Sequence, residues 1–176
     1  MAKSSFTASD ILAKYKSTKF ARPNRFEIII DSSWTDIDTL HLSLMAEDAQ
    51  FLGRNINTST YSAGYEATYD LPDGMTYADD YDITFLLTDD HREVDYFKAW
   101  QDRIYDINTH DINYYHTYIG TMNVRQLDQN NEVVREIRIN ECYPKTIDAI
   151  GASHSATSEF SKLKVTFSFK DWDVII

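Results

Sequence analysis

The residues that most often organise chemistry are scarce in this chain. A single cysteine, Cys142, stands among 176 residues. It excludes an internal disulfide, and without Cys or His partners at ligand spacing it marks no metal site; it reads as a small buried hydrophobe. Five glycines leave little scope for a lid, and neither a phosphate-cradling glycine run nor a GxSxG turn occurs. No window approaches the roughly 18 uncharged apolar residues of a membrane-spanning helix. The opening MAKSSFTASD has no apolar run and no small-residue cleavage site, so no secretory signal, no membrane anchor and a cytosol-like compartment are expected.

Positive charge is scarce too, with 17 Lys and Arg against 28 Asp and Glu, a net charge of −11. What there is gathers at one end. Lys3, Lys14, Lys16, Lys19, Arg22 and Arg25 face only Asp10 within residues 1–25, while the remaining 11 bases face 27 acids. Ten acids and one base, Arg92, lie between Glu66 and Asp95. A body of this sign repels nucleic acid, because binding a polyanion needs a basic face that displaces counterions. Catalytic constellations are equally thin. His110, Asp111 and His116 come nearest to a ligand set, but the two histidines are six residues apart in a segment without helical pattern, which suits a polar loop. The pairs Asp79-Asp80 and Asp89-Asp90 read as solvated turns and helix caps rather than acid–base carboxylates.

The patterning is mainly that of a β protein. Hydrophobic residues make up 43% of the chain, enough for one core in a single domain of this length. Residues 1–25 are expected to form a basic arm, with a short helix opened by Ser9 or Asp10 and stopped before Pro23, ahead of a β domain over 26–176. Phe26 to Ile30 is a strand. Leu40, Leu42 and Leu44 alternate with His41 and Ser43 and predict a half-buried strand. Gly53, Gly64, Pro72 and Gly74 among polar residues predict a long irregular loop over about 51–80. DITFLL, Asp82 to Leu87, is a strand; Val94, Phe97, Trp100 and Ile104 recur at helical intervals and predict a helix over about 92–105, with Asp90 and Glu93 spaced as a capping box. Tyr118 to Leu127 and Val133 to Cys142 form a hairpin around DQNN. In the last strand Leu163, Val165, Phe167 and Phe169 alternate with Lys162, Lys164, Thr166, Ser168 and Lys170. Strands joined as hairpins, with one strong helix, fit an antiparallel β-sandwich or barrel with a flanking α-helix. Tyrosine is enriched, with six of twelve between Tyr61 and Tyr96. Placed in the loop rather than in the strands, Tyr61, Tyr65 and Tyr69 read as a contact surface.

Four blocks, FARPNRFEIII, DHREVDYFKAWQDRI, QLDQNNEVVREIRINECYPKTI and LKVTFSFKDWDVI, follow one another in an order that resembles the tail tube proteins of contractile-tailed bacteriophages. The likeness rests on Phe20-Ala21-Arg22-Pro23-Asn24 entering the first strand, Phe97-x-x-Trp100-Gln101 on the helix, Tyr143-Pro144 after the hairpin and Trp172 near the end. It covers residue 17 onward. The Asp- and Tyr-rich loop and the residues after the last strand depart from that pattern.

That resemblance implies a structural subunit with no catalytic residues and no cofactor. Six copies would form a ring, and rings would stack head to tail into the inner tube of the virion tail, built in the host cytoplasm. Partners would be the sheath, the baseplate and tape-measure proteins, and viral DNA would pass through the lumen without specific binding. An acidic, hydroxylated wall lets a polyanion slide because it offers no counter-charge. The expected subunit contact pairs the basic arm (Lys14, Lys16, Lys19, Arg22, Arg25) with the acidic region that includes Asp79 and Asp80, alongside Tyr61, Tyr65 and Tyr69. Within the same class, a baseplate tube-initiator ring or a type VI secretion ring shares the pattern. From another class, a small-ligand or carbohydrate-binding β-sandwich would use the tyrosine-rich loop as its pocket.

Overall fold

In the computed structural model the alternating segments become strands of one bent antiparallel sheet. The described residues are 8–17, 24–31, 39–62, 64–65, 67–77, 80–150 and 160–176. In chain order the elements are α1 (Ala8–Ser17), β1 (Phe26–Ile30), α2 (Thr39–Met45), β2 (Ala46–Ala49), β3 (Arg54–Tyr61), β4 (Tyr69–Tyr77), β5 (Tyr81–Leu86) and α3 (Arg92–Ile104). They continue with β6 (Tyr105–Asp106), β7 (Asp111–Ile112), α4 (Tyr115–Tyr118), β8 (Gly120–Leu127), β9 (Val133–Ile147), β10 (Lys162–Ser168) and β11 (Asp171–Val174).

The sheet runs β1-β8-β9-β10-β5-β2, with β11 also paired to β9. Strand β9 turns the corner. Its first part pairs with β8 through Cys142, and Tyr143 onward pairs with β10. At the turn Glu141 takes a left-handed conformation (φ 51°) opposite a register shift in β8, the geometry of a bulge that bends a strand. The sheet thereby folds over on itself without closing. Ile28, Ile30, Met122, Val124, Ile137 and Ile139 face Ile83, Phe85, Leu163, Val165 and Phe167 across a dry core, and Cys142 lies inside it.

Helix α3 spans the open end of this half-barrel. Phe97 packs on Phe85 (5.1 Å between rings) and Phe167 (5.8 Å). Trp100 donates from Nε1 to the Tyr118 carbonyl at 2.7 Å. Gln101 donates from Nε2 to the carbonyls of Pro144 (3.3 Å) and Lys145 (3.4 Å) on the edge of β9, so the helix caps that edge. The expected helix over 92–105 is therefore present. Its capping box is not: the N-cap is His91, in a left-handed conformation and without a side-chain cap bond. Glu93 instead reaches back past Asp90, accepting from the Thr88 N–H (3.3 Å) and Oγ1 (3.1 Å).

Two other expectations are corrected. Thr39–Met45 is a helix, not a strand. Leu and Met favour helices, and the run contains no β-branched residue after Thr39. Only Leu42 is buried, while Leu40 and Leu44, four residues apart, share the outer face. α2 covers the gap between β1 and β2, and Ser43 Oγ accepts the edge N–H of Ile28 at 3.1 Å. Nor is 51–80 irregular: β3 and β4 form a hairpin paired from Arg54↔Tyr77 to Tyr61↔Tyr69. Pro72 sits where its register shifts, and on a two-stranded ribbon a missing N–H is tolerated at such a place. Side-chain bonds Ser59 to Asp73 (2.9 Å), Thr60 to Asp70 (2.9 Å) and Thr76 to Asn57 (3.3 Å) lace the strands where apolar pairs would otherwise be needed.

Phe97→Ala would empty the centre of the α3 contact and should cost about 3–5 kcal/mol of unfolding free energy, read as a lower denaturant midpoint. Ser43→Ala, which orphans only the Ile28 N–H, should cost about 1–3 kcal/mol; equal effects of the two would contradict this ranking.

Candidate assembly surfaces

Reactive chemistry is poorly provided for. Among the described residues no group of three or more His, Cys, Asp or Glu could hold a metal ion. His110 Nδ1 is bonded to the Tyr105 hydroxyl (2.9 Å), and His116 stacks on Tyr114. Burial pushes the Cys142 thiol up to about 12, which leaves it protonated and inert. Among the described residues no helix is long and apolar enough to cross a membrane.

The expected contact residues are dispersed. Lys14 and Lys16 are exposed on α1, whereas Lys19, Arg22 and Asp79 lie outside the described residues. Arg25 works within its own subunit: its Nη1 donates to the carbonyls of Asp128 (3.3 Å) and Gln129 (3.1 Å) and to Asn131 Oδ1 (3.0 Å), bracing the β8–β9 turn. Asp80 is paired with Lys145 Nζ at 2.9 Å. Tyr61 and Tyr69 meet at the end of the β3–β4 ladder, rings 5.4 Å apart, and Tyr65 stands fully exposed beside Gly64, whose φ of 59° makes the turn.

The β3–β4 hairpin is the most unusual surface. Every residue of β3 and all of β4 but Tyr77 are exposed. Among the described residues its base is anchored to the body by Arg54 over the Trp172 ring at 5.6 Å and Tyr77 edge-on to the same ring at 6.2 Å. Ile56 and Met75 are opposite one another in the ladder and both exposed, as is Leu71 further out. A free two-stranded hairpin is marginally stable in water, so a ribbon of this length with apolar side chains in solvent calls for a covering surface.

The outer faces of the sheet are of another kind. Arg125 lies between Glu27 (3.6 Å) and Glu136 (3.2 Å) across three strands. Lys164 pairs with Asp82 (2.8 Å), which also accepts from Thr166 Oγ1 (2.7 Å), and these contacts hold the Asp82 carboxyl below its usual range. Lys162 meets Glu47 (2.7 Å), Lys170 meets Glu141 (2.5 Å), and Asn140 bridges Asp171 (2.8 Å) and Asp173 (3.1 Å). These faces are polar and carry matched ion pairs.

Sequence reasoning missed one further group. Leu40 and Leu44 on α2, and Ile107, Ile112 and Tyr114 around β6 and β7, are all exposed. The signal was available: Thr39–Met45 and residues 112–124 contain no Asp, Glu, Lys or Arg, rare in so charged a chain.

A buried carboxylate ties these regions together. Glu93, fully buried, accepts from Thr88 and lies 2.7 Å from His41 Nε2 of α2. Burial opposes its ionisation, but its own backbone N–H, His41 and Thr88 outweigh that and hold the carboxyl below its ordinary value. A depressed carboxylate stabilises the fold above the unfolded-state value and loses that contribution as pH falls through the folded one. Wild-type stability should therefore fall with pH below about 4.3, and Glu93→Gln should flatten that part of the profile in pH-dependent denaturant melts.

The fold is shared with chains in structures of contractile injection systems. The chain is similar to a chain in the six-fold symmetrised baseplate of the anti-feeding prophage (12% identity, 90% of this chain and 97% of that one, TM-score 0.66). It is also similar to chains in two structures of an extracellular contractile injection system, PVC. One is its sheath/tube terminator (8% identity, 91% and 99%, TM-score 0.67) and the other its sheath–tube complex (12%, 97% and 98%, TM-score 0.59), both in the extended state. No curated protein sequence matches the chain. The phage tail tube protein family matches residues 8–175, and the chain belongs to that family. The family is structural, and the chain is a tube-type structural subunit rather than an enzyme.

Proposed function

We propose that this chain builds the inner tube of a contractile phage tail, with six copies closing a ring and rings stacking head to tail inside a sheath. The observation that carries this reading is the β3–β4 hairpin, exposed along both strands and anchored at its base. On an axial stack it would lie on the next ring, where Ile56, Leu71, Met75 and the tyrosines would find cover. A heterologous contact of this kind repeats along an axis without limit. The exposed Lys14 and Lys16 of α1 would meet the acidic surface of a neighbouring copy, and the polar, pair-neutralised sheet face would line a channel that does not hold DNA. Baseplate and tape-measure proteins would set the ends and the length, with assembly in the host cytoplasm.

A second reading is favoured by a specific observation: the chains from the baseplate and terminator structures are at least as similar in fold (TM-scores 0.66 and 0.67) as the chain from the sheath–tube complex (0.59). A ring at one end of the tube would have the same subunit but stop after one layer.

Negative-stain electron microscopy of the purified protein separates these readings. Open-ended tubes with an axial hole are expected, single rings would support the end-ring reading, and a persistent monomer would overturn both. Ile56→Asp with Met75→Asp should leave rings but abolish stacking. Lys14→Ala with Lys16→Ala should make the polymer dissociate at lower salt, and an unchanged salt midpoint would remove the arm from the interface.

A further inference from the structure

The lateral contact inside one layer is a separate question from stacking, and two surfaces meet its requirements. Closing a ring needs two different patches on opposite sides of the subunit. Helix α3 measures the separation. At its N-terminal end, Glu93 holds His41 of α2 at 2.7 Å, which fixes the exposed Leu40 (57% accessible) and Leu44 (68%) there. At its C-terminal end, Asn113 donates from its backbone N–H to the Ile104 carbonyl (3.0 Å) and from Nδ2 to the Arg103 carbonyl (2.8 Å). That bond pair fixes the flanking Ile112 (73%) and Tyr114 (79%). Thirteen helical residues set the two patches roughly 20 Å apart.

Electrostatics selects the same two patches. Copies of a chain with net charge −11 repel one another, and only surfaces free of like charge can approach and lose their water at low cost. Thr39–Met45 and residues 112–124 contain no Asp, Glu, Lys or Arg, with Asp111 at the margin of the second patch, and Leu40, Leu44 and Ile112 give both an apolar exposed surface. The occupant of each is therefore best supplied by the other patch on a second copy. We infer that α2 of one subunit, through Leu40 and Leu44, packs on Ile112 and Tyr114 of the next. The inference rests on the ring reading for its closure, but the pairing itself is testable apart from it.

The test uses Leu44→Cys/Ile112→Cys treated with a short bis-maleimide, each single variant serving as control. The one native thiol, Cys142, is buried and stays unreacted. A ladder of cross-linked species that ends at the ring size is expected from the double variant and not from the singles. Rings visible by microscopy with no cross-linking beyond the singles would overturn the pairing while leaving the ring reading intact. Concentration-dependent cross-links without rings would support the pairing and sink the ring. Charge exchange gives an independent readout: Leu44→Glu and Ile112→Lys should each reduce the assembled fraction about tenfold or more, and the two together should restore it. Loss in the singles without recovery in the pair, with circular dichroism unchanged, would also overturn the inference.

Discussion

A buried carboxylate at the start of one helix holds this subunit's shape. The sheet does not close on itself, so its open end and the gap between β1 and β2 must be covered by other elements. α3 covers the first and α2 the second, and Glu93 joins them through His41 while its other oxygen takes the Thr88 N–H and hydroxyl. Removing a charge from water is costly unless its bonds are replaced. Here they are replaced from two directions, so the ion is stable only when both helices are in place. The acid thereby makes the position of α2 conditional on that of α3, which no purely apolar contact would do as sharply.

Much of the framework was legible in the chain because burial leaves a period behind. Val165 and Phe167 face the core while Lys164 and Thr166 face out, and that period of two is written along β10. Phe97 and Trp100 enter the core from one side of α3 and carry the helical period. The regions misread are those where burial does not write the pattern. In α2 a single residue, Leu42, is inside, so the alternation of leucines reported nothing about the backbone. β3 and β4 bury almost nothing, and their strand character comes from cross-strand bonds among Ser, Thr, Asn and Asp, which leave no hydrophobic period. Among the expected contact residues, tyrosines 61, 65 and 69 do share one projecting element. Arg25 and Asp80, by contrast, have partners in their own subunit, and charge counted along a sequence cannot reveal such pairing.

The distribution of charge differs in kind from a uniformly acidic body. On the sheet, acids are matched across strands by Lys145, Lys162, Lys164 and Lys170. Exposed pairs of this sort add little stability. They do lower the local field and keep the face hydrated. For the proposed channel wall, pairing of cations would matter as much as an excess of acid, since attraction is what would stall a polyanion.

Apolar side chains are exposed on the hairpin, on α2 and around β6 and β7. A monomer gains nothing from leaving Ile56, Leu44 and Ile112 in water, each removal of such area being worth about 25 cal/mol per Å². Several separate patches are also more than a two-fold dimer requires, because a self-complementary contact uses one patch twice. In the proposed stack of rings, a projecting ribbon plus two patches at opposite ends of α3 would give one axial and one lateral direction of growth.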